Sequence, residues 1–278
     1  MVEGVLTKMH VQYQRQHPVD YFLSFQNSFI HLNQFIGQHL SIKPQSCHCL
    51  GCHNIFTPND VPFFFRRGYC GSCFSQRPEI GDWVISPELS QSHLGIEDRD
   101  LAYEKKYQLQ PHIVYLAATS KIKVGVTRKK NAIIRWIDQG ANQAMELLEV
   151  PNRYLAGITE VALKKYYSST TPWQQMLKGE HIHVDWSREK SHALELIPNQ
   201  VKQYVANTTD SHPINIHYPI KTKPIKPKSL SIDFLKNGQT PIEGSLQGIR
   251  GQYLLFANQQ VFNVRRHEGF KVEISVKK

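Results

Sequence analysis

His112-Ile113-Val114-Tyr115-Leu116-Ala117, followed by Ile122-Lys123-Val124-Gly125-Val126-Thr127, is the stretch whose reading decides the fold. The first segment is a short apolar run rich in β-branched and aromatic residues. The second alternates apolar and polar positions as a half-buried strand does. Thr119-Ser120 between them is a turn, so the two read as a hairpin. Downstream, Asn131 to Asp138 reads as a helix, with Ile133, Ile134 and Ile137 on its apolar face and Gly140 as its C-terminal stop. Met145 to Val150 is a third strand. Pro151-Asn152 opens a second helix, in which Leu155, Ile158, Ala162, Leu163 and Tyr166 recur at helical spacing. A further short helix is expected after Pro172-Trp173.

The chain has 278 residues, enough for one to three domains, and 40% hydrophobic content supports ordinary globular packing. No apolar run approaches the roughly 18 residues of a membrane span. The N-terminus lacks the basic-then-apolar layout of a signal peptide, so a cytoplasmic location and no membrane partner are expected. The net charge is +10 and the pI about 9.3. Such an excess favours partners that carry phosphate, DNA or RNA first, because each neutralised phosphate releases counterions. Part of the excess sits at Lys221, Lys223, Lys226 and Lys228, and part at Arg250, Arg265, Arg266, Lys271, Lys277 and Lys278.

All five cysteines lie between Cys47 and Cys73. Cys49-x2-Cys52 and Cys70-x2-Cys73 have the spacing of a tetrahedral zinc site built from two knuckles. Gly51 and Gly71 allow the tight turn that two thiolates need to grip one ion. A disulfide framework needs an oxidising compartment, which nothing in the sequence indicates. Cys47 can stand in for Cys49 as the first ligand. Four thiolates leave no open coordination position, so zinc here builds structure, contributing on the order of 10 kcal/mol.

Three regions follow. Residues 1–95 form a β region that carries the four-cysteine site. Residues 108–208 form an α/β core, its last helical stretch running from about Trp186 to Asn207, and residues 229–278 form a small basic β unit. Lys and Pro alternate in the linker 209–228, which favours an extended conformation. A helix is expected over Asp98 to Tyr107. The end of the chain echoes its beginning. Glu3-Gly4-Val5-Leu6 resembles Glu243-Gly244-Ser245-Leu246, and Phe22-Leu23-Ser24-Phe25 resembles Tyr253-Leu254-Leu255-Phe256. Gly37-x2-Leu40-x-Ile42 resembles Gly269-x2-Val272-x-Ile274. Either a small β unit occurs twice, with the two copies free to pair, or two short meanders merely look alike.

The order strand, strand, helix, strand, helix, helix resembles the GIY-YIG nuclease domain. Ile113-Val114-Tyr115 sits where the first triplet belongs and Lys123-Val124-Gly125 where the second does. Arg135-Trp136 takes the arginine position and Glu160 the glutamate position. The resemblance covers about 65 residues, His112 to beyond Glu160. It departs from the family at Ile113, in place of Gly, and at Lys123, in place of Tyr. The cysteine knuckles, Trp136-Ile-Asp-Gln-Gly-Ala141 and Gly248-Ile-Arg-Gly-Gln-Tyr253 together resemble an uncharacterised bacterial domain-of-unknown-function family. The implied fold class is α+β: a three-stranded antiparallel GIY-YIG-like sheet with helices, flanked by a β/zinc-ribbon region and a small C-terminal β unit.

The resemblance implies metal-assisted cleavage of phosphodiesters. Glu160 would hold one Mg2+ or Mn2+, a hard cation suited to an oxygen ligand. Arg135 would pair with a phosphate oxygen through its planar fork. Tyr115 would orient or deprotonate water, and Lys123 would lower the Tyr115 pKa or contact phosphate. Gly125 would let the substrate backbone approach, with Thr127, Arg128 and Arg153 as further substrate contacts. Each residue also has an ordinary role. Tyr115 packs in a strand, Gly125 marks a bulge, Arg135 is solvated, and Glu160 pairs with Lys164 at i, i+4 or with Arg153. His93 and His112 read as structural, and His181-x-His183 as a surface strand. Two other functions stay open: a nucleic-acid-binding protein with an inactive core, and a zinc-stabilised interaction protein.

Overall fold

The computed structural model describes residues 1–25, 28–59, 65–179, 182–208, 211–234 and 238–277. They form a mixed α+β protein of two compact units, Met1–Gln76 with His217–Lys278, and Arg77–Ile216. Among the described residues no helix is long and apolar enough to cross a membrane.

In the first unit, strand His39–His48 lies at the centre of the main sheet, with Phe270–Lys277 on one side and Ile242–Arg250 on the other. Val2–Val5 extends the sheet beyond Phe270–Lys277. Tyr253–Phe256, Gln260–Asn263 and Lys228–Leu230 extend it beyond Ile242–Arg250. The echo between the two ends of the chain has a structural counterpart. Each copy has a first strand and ends on a strand pair, a 3-10 turn, a glycine of positive φ and a last strand, with His10–Gln12 an additional strand in the N-terminal copy. The first strand of each copy pairs with the last strand of the other. Val2 lies opposite Ile274 and Gly4 opposite Val272, while Ile242 lies opposite Ile42 and Gly244 opposite Leu40. Ile42 and Ile274, equivalent positions, face each other across the two last strands.

The crossings are hydrogen-bonded alike. The N–H of Gly37 donates to the Leu246 carbonyl (2.7 Å), and that of Gly269 to the Leu6 carbonyl (2.8 Å). The φ of +95° at Gly37 and +86° at Gly269 explains glycine at both places. Residues 209 and 210 lie outside the described set, but the rest of the Lys/Pro stretch does not hang free. Lys221 donates its N–H to the Gln247 carbonyl (2.7 Å), and Ile220 bridges Gly248.

The second unit is built on an antiparallel sheet in the order Ile122–Arg128, His112–Ala118, Gln143–Val150, Ile214–Asn215. The three strands expected from the sequence are present, and the two-residue strand Ile214–Asn215 makes a fourth. His112–Ala118 is buried at every position, which is why it reads as a continuous apolar run. One face of the sheet carries Val114, Leu116, Val124, Leu148 and Val150, packed on Ala156 and Leu163 of helix Arg153–Leu163. Alternation sends Ile113, Tyr115 and Ala117 to the other face. There helix Ala132–Asp138 sets the Trp136 ring edge-on to Tyr115, centroids 6.0 Å apart.

Asn152 caps the Arg153–Leu163 helix by accepting the Leu155 N–H (3.0 Å). The helix stops at Leu163, earlier than the apolar spacing predicts. The turn that follows leaves Tyr166 exposed and buries Tyr167 in its place. Leu101–Gln108, Trp173–Lys178 and Trp186–Glu195, of eight, six and ten residues, are the other helices expected in this half.

Candidate functional site

The clearest constellation is the thiol cluster of the first unit. Cys49 follows strand His39–His48 directly, Cys52 lies in the turn after it, Cys70 ends strand Tyr69–Cys70 and Cys73 lies in helix Gly71–Gln76. The Leu50 N–H donates to the Gly68 carbonyl (2.7 Å), which holds one knuckle against the other. All four Sγ atoms lie within 4.8 Å of one another. Cys49 and Cys70 are 3.6 Å apart, and Cys52 and Cys70 3.8 Å. A tetrahedral ion with Zn–S bonds of about 2.3 Å has sulfurs about 3.8 Å apart, so the cluster fits a metal such as zinc. Burial pushes the Cys49 thiol up, but backbone N–H groups of Cys70, Cys52 and Gly51 outweigh it and hold the pKa at about 6. Cys47 is not part of the cluster. It lies fully buried between Phe56 and Phe270 in the sheet register, its thiol pushed up to about 12 by burial. The first ligand position is therefore Cys49.

The second constellation lies in the 77–216 unit. The hairpin register sets Gly125 opposite Tyr115 and Lys123 opposite Ala117. Tyr115 is 0% exposed, and Arg135 and Gln139 approach its hydroxyl, although neither makes a hydrogen bond of full geometry. Burial raises its pKa, Arg135 opposes that rise and Glu160 adds to it. Lys123 is 7% exposed. Its pKa falls to about 8 through burial first and the Arg135 charge second, against the pull of Glu160. Glu160 is 8% exposed and its pKa is raised, by burial first and also by Glu88, against Lys164, Lys123 and Arg153. Its Oε2 lies 3.6 Å from Lys164 Nζ at i, i+4. Tyr115 and Lys123 thus each lie within electrostatic reach of both Arg135 and Glu160, although Tyr115, Lys123 and Glu160 are largely closed to solvent.

The remaining candidates have other duties. A Cβ on Gly125 would lie 2.5 Å from Tyr115 Oη, so this glycine makes room for the tyrosine ring. Thr127 is buried in the hairpin opposite Ile113. The Arg128 guanidinium lies over the Tyr107 ring at 4.8 Å. Arg153 donates from Nε to the Trp83 carbonyl (2.9 Å) and from Nη2 to the Val84 carbonyl (2.8 Å), with its guanidinium over the Trp83 ring. His112 is fully buried. Its Nδ1 lies 2.7 Å from the Gln110 carbonyl and takes the proton there, and burial pushes the ring pKa down to about 4. His93 stacks on Tyr154. His181 lies outside the described residues.

Glu88 was not singled out from the sequence. It sits in the 3-10 turn Pro87–Leu89, packed on the helix at Gly157, where a Cβ would lie 2.3 Å from the Glu88 nitrogen. A glycine in the middle of a helix costs roughly 1 kcal/mol against alanine, and that was the available sign of a close approach.

Fold and sites together define a two-unit α+β protein with a four-thiol cluster that could hold a metal in one unit and, in the other, a tyrosine–lysine–arginine–glutamate group of which all but the arginine are buried. The chain belongs to DUF2797, a family of proteins of unknown function, whose profile matches residues 37–272. No curated protein and no solved structure matches it.

Proposed function

We propose that the 77–216 unit is a GIY-YIG-like, divalent-metal-dependent endonuclease that cuts phosphodiester bonds in DNA or RNA. One observation carries this reading: Tyr115, Lys123 and Glu160 act on one another or on Arg135, and each has a pKa displaced from its ordinary value. Displaced ionisations gathered in one place are a mark of catalytic sites. Glu160 is the carboxylate available to Mg2+ or Mn2+, with Glu88 the second carboxylate acting on it. One or two carboxylates with retained waters suit such a cation. Bound there, the ion supplies charge relief at the phosphate. Arg135, the least buried of the four, grips a non-bridging oxygen. Lys123, protonated at neutral pH with a pKa near 8, holds a proton for the leaving oxygen. Zinc in the thiol cluster, with no open position, is structural.

Cleavage of mixed single- and double-stranded DNA and RNA with Mg2+ or Mn2+ is expected for the wild type and is lost in Glu160→Ala. Indistinguishable traces remove the catalytic claim. The complete burial of the Tyr115 hydroxyl favours a second reading, a nucleic-acid-binding protein with a non-cleaving core. It predicts salt-dependent binding, unchanged in Glu160→Ala, and no product from either protein.

A further inference from the structure

A three-stranded sheet of the first unit, His10–Gln12, Asp20–Phe25 and Ser28–His31, turns one face to the core and one to solvent. Tyr21, Leu23 and Phe25 point inward and are buried, so Asp20, Phe22 and Ser24 point outward. The cross-strand register sets Phe22 opposite both His10 and His31. Three rings stack on this outer face. Phe29 and Phe22 lie 4.8 Å apart at 19°, and Phe22 and His31 lie 4.7 Å apart at 24°. The outermost ring, Phe29, is 64% exposed. His31 Nε2 lies 2.8 Å from Asp20 Oδ1, which also accepts from Asn33 Nδ2 (3.3 Å), so the inner end of the stack is held in place.

A groove of about 940 Å³ borders the same sheet and reaches Cys49 of the thiol cluster. Thr7, His10, Ser24, His48, His53 and Lys271 line it. They offer hydroxyl and imidazole groups, while the one lysine is paired with Glu3 at 3.3 Å. Charge is divided unevenly between the units. The first holds sixteen Lys and Arg against seven Asp and Glu, an excess of nine out of the chain's ten. The second holds seventeen against sixteen, an excess of one.

We infer that this face and groove bind single-stranded RNA, with an unstacked base against Phe29 and the neighbouring nucleotides in the groove. Aromatic rings on a sheet face take bases only where the bases are not already stacked in a duplex. The net positive charge of this unit favours a phosphate-bearing strand over a neutral or cationic partner. Hydroxyl and imidazole groups in the groove can reach a ribose 2′-OH, which DNA lacks. The nucleic-acid partner rests on the reading above, but binding requires no cleavage.

The test is fluorescence anisotropy with short unstructured RNA, matching DNA and duplex RNA, using the full chain as Glu160→Ala so that cleavage does not enter. The RNA single strand is expected to bind, and Phe29→Ala to weaken it about five- to 150-fold, the range for loss of one stacked base. Phe29→Leu, apolar but without a ring, should weaken it nearly as much. Phe29 is exposed, so circular dichroism and bound zinc should match the parent. The inference is overturned if Phe29→Ala and Phe22→Ala bind within twofold of the parent, if duplex competes equally, or if matching DNA binds as tightly. Failure here leaves cleavage standing on its own assay, and loss of cleavage leaves this binding intact.

Discussion

Gly125→Ala tests what holds Tyr115 in its place. The added Cβ would lie 2.5 Å from Tyr115 Oη and 2.6 Å from Cζ. Comfortable carbon contacts lie at about 3.5–4 Å, so an overlap of about 1 Å has to be relieved. The ring has little room to retreat, being fully buried with Trp136 against it. Gly125 has no positive φ, so alanine brings no backbone strain and removes unfolded-state freedom, a gain of roughly 0.5–1 kcal/mol. Overpacking a closed core costs typically about 1–3 kcal/mol, which leaves a net loss of about 1–2 kcal/mol. For a unit of this size that lowers Tm by roughly 2–8 °C. Thermal denaturation followed by near-UV circular dichroism reads it. Tyr115→Leu removes both Oη and Cζ, the atoms nearest the new methyl group, so Gly125→Ala should cost little in that background. A Gly125→Ala protein that melts with the wild type, or an equal loss with and without Tyr115→Leu, would refute the packing account. It would return Gly125 to the role of admitting a substrate backbone.

Three further outcomes are expected. Lys123 stands near pH 8 where 10.5 is ordinary, chiefly through burial. Below pH 8 it is charged folded and unfolded, and the full cost of burying the charge is present. Between about 8 and 10.5 the unfolded chain binds more protons, so stability rises with pH. Lys123→Met should therefore stabilise by about 1–3 kcal/mol at pH 7, an advantage that shrinks towards pH 10 in urea titrations. A constant difference across that range counts against the buried charge. Removing metal from the thiol cluster with a strong chelator, or Cys49→Ser, should melt the knuckles, whereas Cys47→Ala should leave metal content at one ion per chain; equal metal loss from both variants would put Cys47 among the ligands. Finally, residues 77–216 alone should unfold cooperatively, and residues 1–76 should not, even with zinc; a sharp transition from the shorter piece would show that it needs no C-terminal partner.

What was legible in the sequence was local. Cys49, Cys52, Cys70 and Cys73 announce themselves because each pair lies within one turn. The hairpin around Tyr115 reads as two strands because one is apolar throughout and its partner alternates in residue type, but Lys123, Gly125 and Thr127 of that partner are buried rather than turned to solvent. The echo of Gly37 in Gly269 is visible because positive φ restricts the residue type at each place. What the sequence concealed depends on distant packing. The strand Ile214–Asn215 is too short to have a period. Glu88 acts on Glu160 from a turn that presses on Gly157. Arg153 read as a substrate contact because its partners, the carbonyls of Trp83 and Val84, are backbone groups that leave no trace in residue type. The closure of the Tyr115 site has the same origin.

The exchange of strands explains how one β unit tolerates so long an interruption. His39–His48, the last strand of the N-terminal copy, has neighbours on both sides from the C-terminal copy, Phe270–Lys277 and Ile242–Arg250. Among the described residues Val2–Val5 pairs only with Phe270–Lys277. The N-terminal copy therefore leaves two strands without their main ladders until the end of the chain is available. The 77–216 unit is contiguous and has its own core, so it can fold while the first unit still waits. Loop-closure entropy grows only with the logarithm of loop length, at about 0.6 kcal/mol per doubling, so placing a whole unit between the copies costs little once they meet. The metal cluster follows directly on His39–His48, the strand with the longest wait. All four thiols come from Cys49 to Cys73, so an ion held by them would close a short loop there with no ligand from the C-terminal copy. An ion-bound knuckle would thus give that end of the strand a fixed boundary before its partners arrive.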